Sequence, residues 1–255
     1  MAVRGDRELT STLYPSFTQF HSEDKADHAD FARRLALKSN CPVVVPNYRL
    51  TPKEPTVENG TFRHPGHASD IMECLSFLTS WQGLPEIGTV YDRHRIHLLG
   101  HSCGAHMLSS IFLDSSTVTP SLTPPASVLQ SVQSIALSEG IYDIDLLLTS
   151  FPRYRQWFIE SAFGPLSSYS DYAVTKYPVR RPEIRWLVVH SSGDTLVDLC
   201  QSQSMYEHLQ RSMESCDQDR ISHDFHSLTE EHNNIFQSDV FVDVLVQFFL
   251  AKVDE

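Results

Sequence analysis

The sequence predicts an α/β fold in which a mostly parallel sheet is flanked by helices and carries a small helical cap. Short, nearly continuous apolar runs alternate with helical patterns along most of the chain, as in parallel strands joined by crossover helices. A G-x-S-x-G motif stands between one such run and one such helix. The 255 residues, 41% of them hydrophobic, suit one domain over residues 1–255 with a sizeable core.

Four β-branched runs bordered by turn residues are predicted to form the central strands. They cover 42–48, 95–99, 132–137 and 184–190. A further stretch, 220–228, has a weaker strand pattern. Helical periodicity of apolar residues predicts five helices between and after these strands. They cover 26–38, 69–81, 102–113, 199–213 and 238–253.

Two segments interrupt the alternation of strands and helices. Serine, threonine and proline dominate 115–131, which predicts a loop-rich insertion. The segment 141–177 is rich in aromatic residues and is predicted to form a small helical cap over the carboxyl edge of the sheet, where α/β sheets bind ligands. Three of its aromatic residues, Tyr142, Trp157 and Phe158, are candidates for substrate binding. The alternative is that these aromatic side chains only pack the domain.

Charge and cysteine content limit the classes of partner. The net charge of −12 and the pI near 5.5 argue against nucleic-acid and anionic-membrane partners, which would repel the surface. Five scattered cysteines without a C-x-x-C pair favour a reducing compartment. Residues 1–10 lack the apolar region of a signal peptide, and the longest apolar stretches of the chain are far shorter than a membrane span. We therefore expect a cytoplasmic protein with a small-molecule substrate, and a homodimer remains compatible with the sequence.

The G-H-S-C-G stretch at 100–104 is the basis of the nucleophile hypothesis. It resembles the nucleophile elbow of the α/β-hydrolase fold, where a tight strand-to-helix turn exposes a serine above the sheet. Ser102 is therefore the predicted nucleophile. At a helix N-terminus, free N–H groups favour developing negative charge, and the N–H of Cys103 is the expected oxyanion donor. The alternative is that Ser102 only caps the helix.

A serine alcohol needs a general base and an orienting carboxylate to attack at neutral pH. In the α/β-hydrolase fold these residues follow the serine in the order acid, then histidine. Asp194 lies in the loop at the carboxyl end of the strand 184–190 and is the predicted acid. Asp198 is the alternative acid, although it can instead cap the helix that follows.

His232 is the predicted base because it lies between the strand-like stretch 220–228 and the last helix. His223 and His226 belong to that stretch and are interpreted as surface residues. The thirteen histidines also raise the question of a metal. Three pairs have ligand-like spacing, namely His64 with His67, His94 with His97, and His223 with His226. None has the acidic or cysteine partners of a familiar site, so the sequence predicts no metal and no cofactor.

The stretch G-H-S-C-G-A-H at 100–106 resembles the G-H-S-A-G-A-H of kynurenine formamidases (arylformamidases) and related esterase-like hydrolases. N-Y-R-L at 47–50, S-E-G-I-Y-D at 138–143 and the loops with Asp194 and His232 occur in similar order in that group. The resemblance implies a serine hydrolase that cleaves N-formyl-L-kynurenine to kynurenine and formate in tryptophan catabolism. The alternatives are a carboxylesterase acting on other small acyl substrates and a catalytically impaired binding protein.

The chain departs from that family at its N-terminus. Family members carry H-G-G-x-W after the third strand, and its glycine N–H groups complete the oxyanion hole. Here His21 and Ser22 stand at that point, and the first helical pattern already begins at 26, where the family usually has three strands before it. We therefore expect truncated N-terminal strands. A lost oxyanion donor would lower the rate by about 10²–10³.

The missing third strand has a structural consequence. It normally lies between the strands that correspond to 42–48 and 95–99, so without a replacement these two would pair directly or leave backbone groups unpaired. The segment 12–20 is a poor substitute, because Pro15 cannot donate to a ladder and its neighbours are polar.

Overall fold

A computed structural model of the chain describes residues 11–13, 16–17, 24–52, 62–86, 88, 90–213 and 218–251. Within these described residues, seven strands form one sheet. They are β1 (Ser11–Leu13), β2 (Ser16–Phe17), β3 (Val43–Val44), β4 (Ile96–Ser102), β5 (Val132–Ser138), β6 (Arg185–Val189) and β7 (Ile221–Asp224). Every pairing in it is parallel, and the strand order is β3-β1-β4-β5-β6-β7, with β2 also paired to β4. The predicted α/β class is confirmed.

The N-terminal segment provides the strand that the sequence pattern did not favour. Thr12 of β1 is the register partner of both Val43 and His97, so β1 lies between β3 and β4. Direct pairing of β3 with β4 therefore does not occur. The strand β2 continues along β4, with Phe17 opposite Ser102. The low expectation for a strand in 12–20 was wrong, because backbone pairing on both sides compensates for weak local propensity.

Eight α-helices connect and cover the strands in the described residues. They are α1 (Ala29–Ser39), α2 (Gly66–Ser80), α3 (Cys103–Phe112), α4 (Ala126–Ser131), α5 (Ile144–Ser150), α6 (Glu160–Phe163), α7 (Leu199–Ser212) and α8 (Asp239–Leu250). None of them has the length and apolar character needed to cross a membrane.

The two faces of the sheet carry separate apolar clusters because side chains alternate along each strand. On β6, Trp186 and Val188 pack with α2, α3 and α7, whereas Leu187 and Val189 pack with α1 and α8. The same alternation divides β4 at Leu98 and Leu99. A sheet covered on both faces explains why its strands are almost continuously apolar.

Both irregular segments contain short helices. The segment 115–131, predicted as a loop, includes a 3₁₀ turn (Pro120–Leu122) and ends in α4, and the apolar side chains of Leu122 and Val128 are buried there. The segment 141–177 contains α5, a π-helical turn (Arg155–Ile159), α6 and two 3₁₀ turns. It follows the carboxyl end of β5 along the chain, and its role as a cap over the sheet edge stays a prediction.

Candidate active site

The turn from β4 to α3 has the geometry of a nucleophile elbow. Ser102 is the last residue of β4 and has φ 53° and ψ −120°, a left-handed conformation that non-glycine residues rarely adopt. A Cβ atom at Gly100 would lie 2.7 Å from the carbonyl oxygen of Gly104, so only glycine fits at 100. Strain of this kind persists where the surrounding structure over-determines it, often at functional sites.

Asp194 and His232 meet at the carboxyl edge of the sheet. The Asp194 Oδ2 atom lies 2.7 Å from His232 Nδ1, and both side chains are buried. The other carboxylate oxygen of Asp194 accepts the backbone N–H groups of Leu196 at 2.8 Å and Val197 at 3.0 Å. The loop after β6 thus fixes the carboxylate, and the carboxylate fixes the imidazole.

The loops that hold these two residues pack tightly on each other. A Cβ atom at Gly193 would lie 2.1 Å from the carbonyl oxygen of Thr229. Ser192 donates its backbone N–H to the carbonyl of Leu228 at 3.0 Å, and the Ser191 hydroxyl donates to the carbonyl of Glu230. The segment before His232 therefore lies directly against the segment before Asp194.

His101, the residue before Ser102 in the elbow, packs against the His232 ring of this pair. The rings of His101 and His232 have centroids 4.5 Å apart, and burial first, then nearby histidines, hold the pKa of His101 well below its usual value. No hydrogen bond joins Ser102 Oγ to His232 among the residues that the structure describes. In free enzymes this bond is often long and tightens only with substrate, so the serine–histidine contact stays a prediction.

The alternative acid and bases lie elsewhere. Asp198 precedes α7 and accepts a hydrogen bond from the Ser150 hydroxyl. The His223 side chain packs against Tyr206, with ring centroids 4.3 Å apart, and His226 is exposed. These placements agree with the surface interpretation of both histidines.

The electrostatics favour an ionised Asp194. Burial alone would raise the pKa of Asp194, but hydrogen bonds from His232 and from the backbone of Val197 and Leu196 hold it below its ordinary value. Because the His232 Nδ1 atom is engaged with the Asp194 carboxylate, its Nε2 atom is the one free to accept a proton. The arrangement can therefore perform general-base chemistry at Nε2.

Sequence reasoning missed one polar group in this site, Glu139. It follows β5, its side chain is fully buried, and its Oε2 atom lies 3.5 Å from His232 Nδ1. Its Oε1 atom accepts the backbone N–H of Ser191 at 2.9 Å. The available signal was a single acidic residue at the end of an otherwise uncharged strand.

The candidate substrate-binding residues differ in their exposure. Tyr142 is fully buried in the core, so we do not assign it to a substrate surface. Trp157 is 49% exposed and packs edge-on against Tyr154 and Phe158, which is mostly buried. The Tyr154 hydroxyl donates to the carbonyl of Leu196 at 3.1 Å, beside the Asp194 loop. The aromatic part of 151–158 therefore contacts the loop that holds the candidate acid.

The histidine pairs do not form metal sites of their own in the described residues. His67 bonds Thr51 at 2.9 Å, and His97 bonds Ser134 at 2.6 Å. One other group has ligand-like spacing, with atoms of His101, Glu139 and His232 within 4.8 Å of one another. Its contacts to Asp194 and Ser191 identify it as the polar centre of the candidate active site.

The expected oxyanion donors belong to two segments, the start of α3 and the N-terminal segment that precedes α1. Cys103 begins α3, so its backbone N–H lies at the helix N-terminus, where the N–H groups point out of the helix. His21 and Ser22, which stand where the family motif is expected, lie outside the described residues. The strand before them ends at Phe17, directly opposite Ser102.

Comparison with known proteins agrees with this architecture. The chain belongs to the alpha/beta hydrolase fold family, whose model matches residues 18–229. It is 29% identical over 186 residues to a kynurenine formamidase of Eremothecium gossypii, covering 69% of this chain and 68% of that protein. It is 22% identical over 239 residues to a kynurenine formamidase of Debaryomyces hansenii, and the match covers 76% of this chain and 75% of that protein.

Solved structures with the same fold include esterases. Carboxyl esterase 2 of Tuber melanosporum superimposes with a TM-score of 0.66 at 17% identity, covering 95% of this chain and 78% of that one. An esterase of Pyrobaculum calidifontis superimposes with a TM-score of 0.65 at 16% identity, and the match covers 96% of this chain and 78% of that one. At these identities the likeness concerns the fold alone.

Proposed function

We propose that the chain is a serine hydrolase that cleaves a formamide or ester of a small aromatic metabolite, with N-formyl-L-kynurenine as the first candidate. The observation that carries the proposal is the buried 2.7 Å contact of Asp194 with His232, beside the strained elbow at Ser102. The names of the relatives, kynurenine formamidase, support the formamide. The esterase neighbours share only the fold, so an ester substrate is the second candidate.

In the proposed reaction, His232 Nε2 accepts the proton of the Ser102 hydroxyl as its oxygen attacks the formyl carbon. Asp194 holds the imidazole in orientation and stabilises its charge once it is protonated. The backbone N–H of Cys103 donates to the oxyanion. His232 then returns the proton to the leaving aromatic amine, and water releases formate from Ser102 by the same steps.

The test is to measure kynurenine release from N-formyl-L-kynurenine, and phenyl acetate hydrolysis, with the purified chain and its Ser102→Ala variant. Loss of the nucleophile should lower kcat by about 10⁴-fold or more. The melting temperature should change little, because the hydroxyl makes no hydrogen bond among the described residues. A fluorophosphonate probe should label the wild-type chain and not the variant.

Equal turnover by the two chains would contradict the mechanism. A wild-type chain that is neither labelled nor active would instead support a binding protein with a hydrolase fold. Activity on phenyl acetate alone would favour the esterase.

Trp157 offers a test of the cap as a substrate surface. It is exposed and belongs to the aromatic cluster that touches the Asp194 loop. We expect Trp157→Ala to raise KM for N-formyl-L-kynurenine by about tenfold and KM for a small acetyl ester by much less. Phe77→Ala is the matched control, since Phe77 is a similarly exposed aromatic residue on α2. Equal effects on both substrates would indicate that Trp157 only packs the cap.

A further inference from the structure

Glu139 is held in place by three elements of the site. It has φ 51°, a left-handed conformation, and its backbone N–H donates to the carbonyl of Val189 at 3.0 Å. Its Oε1 atom accepts the N–H of Ser191, and its Oε2 atom lies 3.5 Å from His232 Nδ1. The backbone and both carboxyl oxygens of this residue are thus directed into the site by β5, the loop after β6 and the segment before α8.

The charges around Glu139 do not favour a second anion. The charged neighbours of Glu139 are the carboxyl groups of Asp194 and Glu230. His101 is also close, but its pKa is far below its usual value, so it brings no positive charge at neutral pH. The single N–H of His232 Nδ1 is engaged with Asp194 at 2.7 Å, whereas Glu139 Oε2 lies 3.5 Å from that nitrogen. Two buried carboxyl groups that both face His232 Nδ1 repel each other when both are ionised, and this repulsion favours a proton on one of them.

The hydrogen bonds indicate which carboxyl group holds the proton. Asp194 accepts two backbone N–H groups and the N–H of His232. Glu139 accepts one backbone N–H, and its Oε2 atom receives no hydrogen bond in the described part of the chain. Burial first, and then the charge of Asp194, raise the pKa of Glu139 to about 10. The ionised form is therefore stabilised at Asp194 and the neutral form at Glu139.

We infer that Glu139 is a positioning residue that stays protonated at neutral pH and donates a hydrogen bond from Oε2 to the Asp194 carboxylate. Asp194 is then held from two sides, by Glu139 and by the backbone of its own loop, with its remaining lone pair toward His232. The site carries one negative charge in the resting state rather than two. The positioning role rests on the proposed function, whereas the location of the proton does not.

The first experiment compares Glu139→Ala with the conservative Glu139→Gln. A glutamine amide can accept from Ser191 through its oxygen and donate to Asp194 through its nitrogen. We expect Glu139→Gln to keep kcat within about threefold of the wild type at pH 7.5. Glu139→Ala should lower kcat by about 10²-fold, with KM nearly unchanged, because the substrate does not touch this residue. Wild-type kcat in the alanine variant would overturn the positioning role.

The second experiment measures melting temperature against pH, in the wild-type chain and in Glu139→Gln. The folded chain keeps a proton on Glu139 up to about pH 10, whereas the unfolded chain releases it near its ordinary value of 4.5. The folded state therefore binds one more proton between these limits, and wild-type stability falls as pH rises through them. Glutamine carries no such proton. The melting temperature of Glu139→Gln minus that of the wild type should increase by about 3 °C per pH unit between pH 6 and pH 9.

The two experiments separate failure of this inference from failure of the proposed function. Melting temperatures need no turnover, and the measurement is repeated in the Ser102→Ala background. If the melting-temperature difference rises with pH while the chain hydrolyses neither substrate, the result would support the proton on Glu139 and contradict the proposed hydrolase function. A difference that stays constant with pH would show that Glu139 is ionised, and would overturn the inference whatever the activity.

Discussion

Replacing Asp194 by asparagine is expected to lower kcat on N-formyl-L-kynurenine by about 10⁴-fold. The Asp194 carboxylate accepts the Nδ1 hydrogen of His232 at 2.7 Å, which leaves Nε2 unprotonated and free to act as the base. An asparagine amide has no negative charge to stabilise the imidazolium, and its NH₂ group can hold the ring in the wrong tautomer. The measurement is steady-state kcat at pH 7.5, with circular dichroism to check that the variant is folded.

Asp198→Asn is the matched control, because it changes the same type of residue four positions along the same loop. Asp198 accepts a hydrogen bond from Ser150 rather than from a histidine. Its replacement should leave kcat within a few-fold of the wild type. If Asp198→Asn lost more activity than Asp194→Asn, the assignment of the acid would be wrong.

Local sequence patterns predicted the central strands of the fold and pointed to Ser102, Asp194 and His232 as the candidate catalytic residues. The strands β4, β5 and β6 are buried on both faces, so their apolar runs are unmistakable. The elbow needs glycine at 100 for a local steric reason, because a larger residue there would clash with the backbone of Gly104, the other glycine of the motif. Asp194 and His232 could be proposed from the sequence because the order of elements determines which loops meet at the carboxyl edge of the sheet.

Features that depend on distant partners could not be predicted in this way. The residues of β1 have little intrinsic propensity for a strand, and β1 forms because its backbone pairs with β3 on one side and β4 on the other. The strand β3 is much shorter than the apolar run 42–48. It lies at the edge of the sheet, and Pro46 within the run has no N–H to donate. Glu139 has a role only because Ser191, Asp194 and His232 converge on it from two other segments.

Gly193→Ala should damage both the stability and the activity of the chain. The new Cβ atom would lie 2.1 Å from the carbonyl oxygen of Thr229 and 2.9 Å from that of Glu230, so the two loops would have to separate. Overpacking of this kind costs about 1–3 kcal/mol, or a loss of roughly 5 °C in melting temperature. Separation of the loops also moves Asp194 away from His232, and a displacement of about 1 Å can cost about 10²-fold in kcat.

The matched control for this prediction is Gly88→Ala. Gly88 has φ 75°, so alanine is strained there too, but its Cβ atom would meet no atom of the described residues within 4 Å. This control should lower the melting temperature and leave kcat unchanged, whereas Gly193→Ala should lower both. The two variants therefore distinguish general destabilisation from a specific effect on the contact between Asp194 and His232. A Gly193→Ala chain with wild-type kcat would mean that the packing of the two loops does not set the geometry of that contact.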